Sequence, residues 1–318
     1  MVFGVADIDA SATALWDGGQ GFKPVGYESA TPNTTRFSGQ FHGLGHRITG
    51  LTINRPTTDY VGLFGSTANN GDIRDVTLSG GSVTGRGGVG AVAGYVASGT
   101  VRNVTVSTAV NGTAAVGAFP NGTGGAVGWA DAPVNNSSSS STVTGTGDMV
   151  GGLVGYSRSS VTNSTASGIV TGVGTVGGLL GFENGSGVSV SNSSASATVI
   201  STGADAGGLI GFSRNTITNS YATGSVSGTT MVGGLIGYAQ SGTVTNSYAT
   251  GPVSGSGSGL GGLLGGFAGS SVSNSYATGS VTATAAAATS LGGFAGSIGL
   301  GATVSTSRSS GTVTGNGA

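Results

Sequence analysis

Apolar positions along this chain follow neither the 3.6-residue period of a helix nor the alternation of a long exposed strand. They recur in a fixed phrase, V-G-G-L-[IV]-G-[YF] followed after a short gap by [IV]-x-N-S-x-A-[ST]-G-x-V-x-G, nine times between Val61 and Gly315. The last glycine of the first half falls at Gly65, Gly94, Gly128, Gly155, Gly181, Gly211, Gly237, Gly265 and Gly296, so the phrase returns every 26 to 34 residues. Short strand-like runs at such a period predict a β-solenoid in which each repeat makes one coil. The expected fold is all-β, a right-handed parallel β-helix of roughly eleven coils. Residues 1–60 supply about two opening coils and residues 61–318 nine repeats, a rod of about 50 Å at the inter-strand spacing.

Within one coil the pattern also sides the residues. Ile217, Ala222, Gly224 and Val226 can share the inner face only if strand parity breaks near Asn219-Ser220, which puts a corner at the asparagine. The same corner recurs as Asp75, Asn103, Asn136, Asn163, Asn192, Asn219, Asn246 and Asn274, with Thr306 in the last coil. Stacked in register, Asn163, Asn192, Asn219, Asn246 and Asn274 predict a structural amide ladder rather than a binding strip. Two positions on, Tyr221, Tyr248, Tyr276 and Arg308 precede the inward Ala222, Ala249, Ala277 and Ser309, so the tyrosines face out. That column has two readings: a ladder that stabilises a parallel sheet, and an aromatic strip that stacks on a ligand or partner. Adjacent apolar pairs such as Leu235-Ile236 and Leu209-Ile210 leave the first half unsided. Either the second residue turns outward into an apolar stripe, or the glycines bend the chain and both are buried.

Composition narrows the function classes. Gly contributes 67 residues, charged side chains 7%, and the net charge is −1 with one lysine, which argues against a nucleic-acid partner. Beyond Asp205 only Arg214 and Arg308 are ionised, so charge repulsion cannot keep the C-terminal coils apart. No cysteine is present, which removes disulfides and thiolate metal sites. No apolar run reaches the roughly 18 residues of a membrane span.

Candidate chemistry is sparse, and no catalytic residue, metal site or cofactor is predicted. His42 and His46 are separated by Gly43 and Gly45, which disfavour the helix that a two-histidine zinc face needs. Asp7, Asp9 and Asp17 lie close in sequence, but three carboxylates without a positioned base make a weak site. Of the Asn-x-Ser/Thr sequons, which include Asn33, those at Asn111 and Asn184 are expected on exposed loops able to carry glycans.

Gly152-Leu153-Val154-Gly155, Gly208-Leu209-Ile210-Gly211 and Gly234-Leu235-Ile236-Gly237 resemble the core of the GLUG-motif repeat. Upstream, Asp7-Ile8-Asp9-Ala10 with Trp16 looks like the segment that precedes such repeats. The resemblance implies an extracellular β-helix of the kind found in filamentous-haemagglutinin-like adhesins and in the N-terminal parts of metallopeptidases that cleave immunoglobulin A. The peptidase chemistry does not follow, since H-E-x-x-H is absent. The expected function is a secreted or surface-displayed structural adhesin, not an enzyme, that associates end to end and contacts cell-surface glycans or proteins. The alternative is a glycan-binding or glycan-processing β-helix module, lyase- or tailspike-like.

Overall fold

A computed structural model describes residues 2–3, 6–26, 35–286 and 288–315. The chain winds into a parallel β-solenoid of about ten turns, close to the roughly eleven expected. Nine strands stack in one sheet, from Phe64–Thr67 to Ala295–Ile298, and Val25 bridges Phe64 one level earlier. Two short 3-10 turns, Ser11–Leu15 and Asp17–Gly19, are the only helical elements among the described residues.

One coil shows how the phrase folds. Ala204–Gly207 and Ile210–Ser213 belong to two separate sheets. Thr216–Thr218, Tyr221–Ala222 and Val226–Gly228 form a third, bent wall. Every pairing between these strands and the neighbouring coils is parallel, for example Ile210 with Ile236 and Ile217 with Val244. The core is the bore of this tube, lined by thin columns of Val, Leu, Ile and Ala from successive coils.

The adjacent apolar pairs are both buried, so there is no outer apolar stripe: Val154, Leu180, Ile210, Ile236 and Leu264 are all fully buried, as are Leu209 and Leu235. Two glycines make this possible. A Cβ on Gly207 would lie 1.9 Å from the carbonyl oxygen of Ile210, and one on Gly208 would lie 2.1 Å from that of Gly234. No side chain fits at either position, so the backbone turns sharply between two strands and sends Leu209 and Ile210 inward together.

Charge is distributed unevenly along the rod. The ion pairs among the described residues, from Asp7–His46 through Arg55–Asp17, Arg86–Asp59 and Arg102–Asp72 to Arg158–Asp131, all lie in the first half of the chain. Farther along, Arg214 bonds the neutral side chains of Gln240 and Asn184, and Arg308 sits over a tyrosine.

Candidate functional site

The corner column is where parity breaks. Asn163, Asn192, Asn219, Asn246 and Asn274 have φ between 50° and 52°, Asp75 57° and Thr306 47°, all in the left-handed region that Asn tolerates best among residues with a side chain. Their side chains point to solvent. Asn219 Nδ2 donates to Asn192 Oδ1 at 3.3 Å, Asn246 Nδ2 to Asn219 Oδ1 at 3.2 Å, and Asn103 Nδ2 to Asp75 Oδ1 at 2.9 Å.

The next residue, which sequence reasoning took only as part of the turn, forms a second and buried ladder. Ser164 and Ser220 are fully buried, and Ser137, Ser193, Ser247 and Ser275 nearly so. Each hydroxyl donates to the carbonyl two residues back in its own coil, as Ser220 Oγ does to Thr218 at 2.8 Å. Each also accepts the N–H of the column residue one coil earlier, as Ser220 Oγ does from Ser193 at 3.2 Å and Ser137 Oγ from Val104 at 3.4 Å. The same relay runs from Val104 to Ser137, Ser164, Ser193, Ser220, Ser247, Ser275 and Ser307. The clue in the sequence was the start of this column, Val76 and Val104, which marks the position as inward.

One residue beyond the serine, the tyrosines form a stack. Tyr221 and Tyr248 are 4.8 Å apart between ring centroids and 1° from parallel, and Tyr248 and Tyr276 are 4.9 Å apart and 4° from parallel. Backbone pairing places Ser194, Tyr221, Tyr248, Tyr276 and Arg308 at one position on successive coils. The Arg308 guanidinium lies 5.1 Å from the Tyr276 ring centre and covers that end of the stack. Burial, with the two flanking phenols, raises the pKa of Tyr248. At the other end the column steps down from Tyr221 to Ser194 and Thr165. There a groove of about 460 Å³ opens, lined by Thr165, Ser167, Ser194, Ser196, Tyr221 and Thr223 over a floor of Ala166 and Ala195.

A second aromatic column, on another wall, was missed in the sequence although all its residues but Tyr60 directly follow the motif glycines. Tyr60, Tyr95, Trp129, Tyr156, Phe182, Phe212 and Tyr238 run in contact, with centroid separations between 4.1 and 6.4 Å. The Asp131 carboxylate accepts from Tyr95 Oη and Trp129 Nε1, each at 2.8 Å. Burial, then that bond, raises the Tyr95 phenol pKa. Arg158 lies over Trp129 and Tyr156. Trp129 and Tyr156 are buried, so this column is mostly a structural spine.

The remaining polar candidates are dispersed. Asp7 accepts the N–H of Arg47 and faces His46, Asp9 accepts the N–H of Ser11, and Asp17 pairs with Arg55, so the three carboxylates serve separate local bonds. Glu183 is fully buried and accepts from Ser213, Asn215 and the Arg214 N–H, while burial raises its pKa. Asp205, at φ 57°, has its pKa pushed up to about 6 by burial. Among the described residues no group of three or more His, Cys, Asp or Glu is placed to hold a metal. Of the sequons, Asn184 begins a loop and accepts from Arg214 at 2.9 Å. Asn111, contrary to the loop expectation, lies within the strand Thr100–Gly112, paired to Thr84 and Thr144 on either side, because that wall runs unbroken through its coil. Asn33 lies outside the described residues.

The tight Gly-Gly bend followed by two inward apolar residues has a counterpart among known repeats. The family model of the GLUG motif matches residues 146–171 and 228–254. The GLUG motif is thus present at two positions of the chain. The chain is 46% identical over 114 residues, 35% of its length, to Halomucin of Haloquadratum walsbyi, the match covering 1% of that protein. It is 42% identical over 105 residues, 32% of its length, to a "Putative Gly-rich membrane protein" of Evansella cellulosilytica, covering 11% of that protein. It therefore spans only a small fraction of these curated relatives. Among solved structures, a "putative immunoglobulin A1 protease" from Bacteroides ovatus aligns over 97% of this chain and 77% of its own, with a TM-score of 0.48 and 17% identity.

Proposed function

We propose that this β-solenoid is a structural, adhesive protein displayed outside the cell, whose outer wall makes repeated contacts rather than performing catalysis. The observation that carries this reading is the column Tyr221, Tyr248, Tyr276 and Arg308, because one contact group repeated at a fixed spacing suits multivalent binding. The partial likeness to Halomucin and to a Gly-rich membrane protein supports a surface location. No helix among the described residues is long and apolar enough to cross a membrane. The net charge of −1 argues against nucleic acid as the partner, leaving cell-surface glycans or proteins. Half-buried Asn184, on a loop, and Asn111, outward on its strand, are the positions we assign to glycans if the chain is glycosylated. A lyase- or tailspike-like activity would need carboxylates converging in a groove, and Asp7, Asp9 and Asp17 are each engaged separately.

End-to-end association belongs to the same proposal. Neighbouring coils pair in parallel along the solenoid, and the same pairing made with a coil of a second copy would be a heterologous contact that propagates as a filament. The test of adhesion uses beads coated with the purified chain and applied to cells and extracellular matrix. Adhesion unchanged when Tyr221, Tyr248 and Tyr276 are all replaced by serine would remove the tyrosine column from the function. Light scattering tests self-association, and a monomer at all concentrations would refute it.

A further inference from the structure

The tyrosine stack has two end faces, and only one is free. At the Tyr276 end the Arg308 guanidinium covers the ring. At the Tyr221 end the next coil offers Ser194, and the one before it Thr165, so the flat face of Tyr221 looks into the open groove. Tyr221 is accordingly the one exposed member of the three, at 37%.

We infer that this groove is a subsite for a neutral sugar ring, which takes the place in the stack that the column vacates at Ser194. The inference rests on the adhesive reading and names what that surface would bind. Three observations carry it. The free ring face is flat and apolar, and it lies across the coil axis, so a pyranose seated above Ser194 would stack on Tyr221 much as Tyr248 does from the other side. The groove walls carry the outward hydroxyls of Thr165, Ser167, Ser194, Ser196 and Thr223, groups that both donate and accept and so match sugar hydroxyls. Among the described residues those five side chains form no hydrogen bond within the protein, so they are available to a ligand. No residue lining the groove is charged, which selects a neutral saccharide over a uronate, a sialic acid or an amino sugar in its cationic form. At about 460 Å³ the groove is of the size that small-molecule sites occupy.

The test titrates the intact 318-residue chain with cellotetraose, maltotetraose and tri-N-acetylchitotriose, followed by saturation-transfer NMR and by calorimetry. At least one is expected to bind. Tyr221→Ser should then weaken binding about tenfold, while Tyr221→Phe, which keeps the ring, and Tyr276→Ser, at the Arg308-covered end, stay within about twofold. Ser194→Tyr should extend the ring stack into the groove and abolish binding while leaving the melting temperature unchanged or higher. Equal losses in Tyr221→Ser and Tyr276→Ser, undiminished binding by Ser194→Tyr, or no binding of any of the three sugars would overturn the assignment. If the coated beads still adhere to a glycosidase-stripped surface while the three sugars fail to bind, the sugar subsite falls and the adhesive reading stands. Loss of adhesion on that surface together with intact sugar binding supports the subsite.

Discussion

Replacing Ser220 by alanine removes one hydroxyl with two partners in different coils. Thr218 loses the 2.8 Å bond it accepts from Ser220 Oγ but keeps the one it accepts from the Asn192 N–H at 3.1 Å. The Ser193 N–H, which donates to Ser220 Oγ at 3.2 Å, has no such substitute, and Ser193 is 1% exposed. A buried donor left without an acceptor costs about 1–3 kcal/mol, and the small volume change adds little, so Ser220→Ala should cost about 2 kcal/mol. Urea unfolding with an unchanged slope gives the stability, and hydrogen exchange at the Ser193 amide localises it. A loss below about 0.5 kcal/mol, or a Ser193 amide as protected as in the parent protein, would refute the claim that the hydroxyl relay binds coil to coil.

Asn219→Ala should cost about 1–2 kcal/mol, mostly from forcing a side chain other than Asn to hold φ 50°, and Asn219→Gly close to nothing; equal losses by urea unfolding would instead assign the effect to the exposed amide ladder. Asp205 binds its proton more tightly folded, at about 6, than unfolded, at 3.8, so its contribution is full below the lower value and is lost as pH rises through the upper one. Asp205→Asn should therefore be more stable at pH 7 by up to about 3 kcal/mol and flatten the pH dependence of stability between those values, and a parallel pair of pH profiles would contradict the assignment. Gly208→Ala, whose Cβ would lie 2.1 Å from the Gly234 carbonyl oxygen, should lose at least the roughly 3 kcal/mol at the upper end of overpacking costs; a melting temperature within a few degrees of the parent would show that the Gly-Gly bend can relax.

The repeat was legible because a solenoid prints its period directly in the chain, and the corner was legible because Ile217 and Ala222 cannot share a face without one. The inner serine relay was not read, because in a chain rich in serine a hydroxyl next to a turn looks like solvent-facing filler. Only the column as a whole, beginning with Val76 and Val104, shows that its side chains point into the bore. The second aromatic column was hidden by the unresolved siding of Leu209-Ile210 and its equivalents. Once the Gly-Gly bend buries both residues, the ring after the next glycine is forced outward beside its neighbours. The groove beside Tyr221 follows from a change between repeats, Tyr to Ser, which averaging over the repeats erases.

Among the described residues the confinement of ion pairs to the coils before and at Arg158 makes the rod two materials joined in series. Salt screens exposed charge pairs over a distance of about 8 Å at physiological strength and about 3 Å at 1 M, and has little to act on where hydroxyls, amides and stacked rings do the joining. Moving from fresh water to brine should therefore loosen the first half of the molecule and leave the second half unchanged, or tightened where salt strengthens apolar burial. A filament built from such units would carry a salt-responsive segment and a salt-indifferent one in regular alternation, with its compliance set by the medium at fixed intervals along its length.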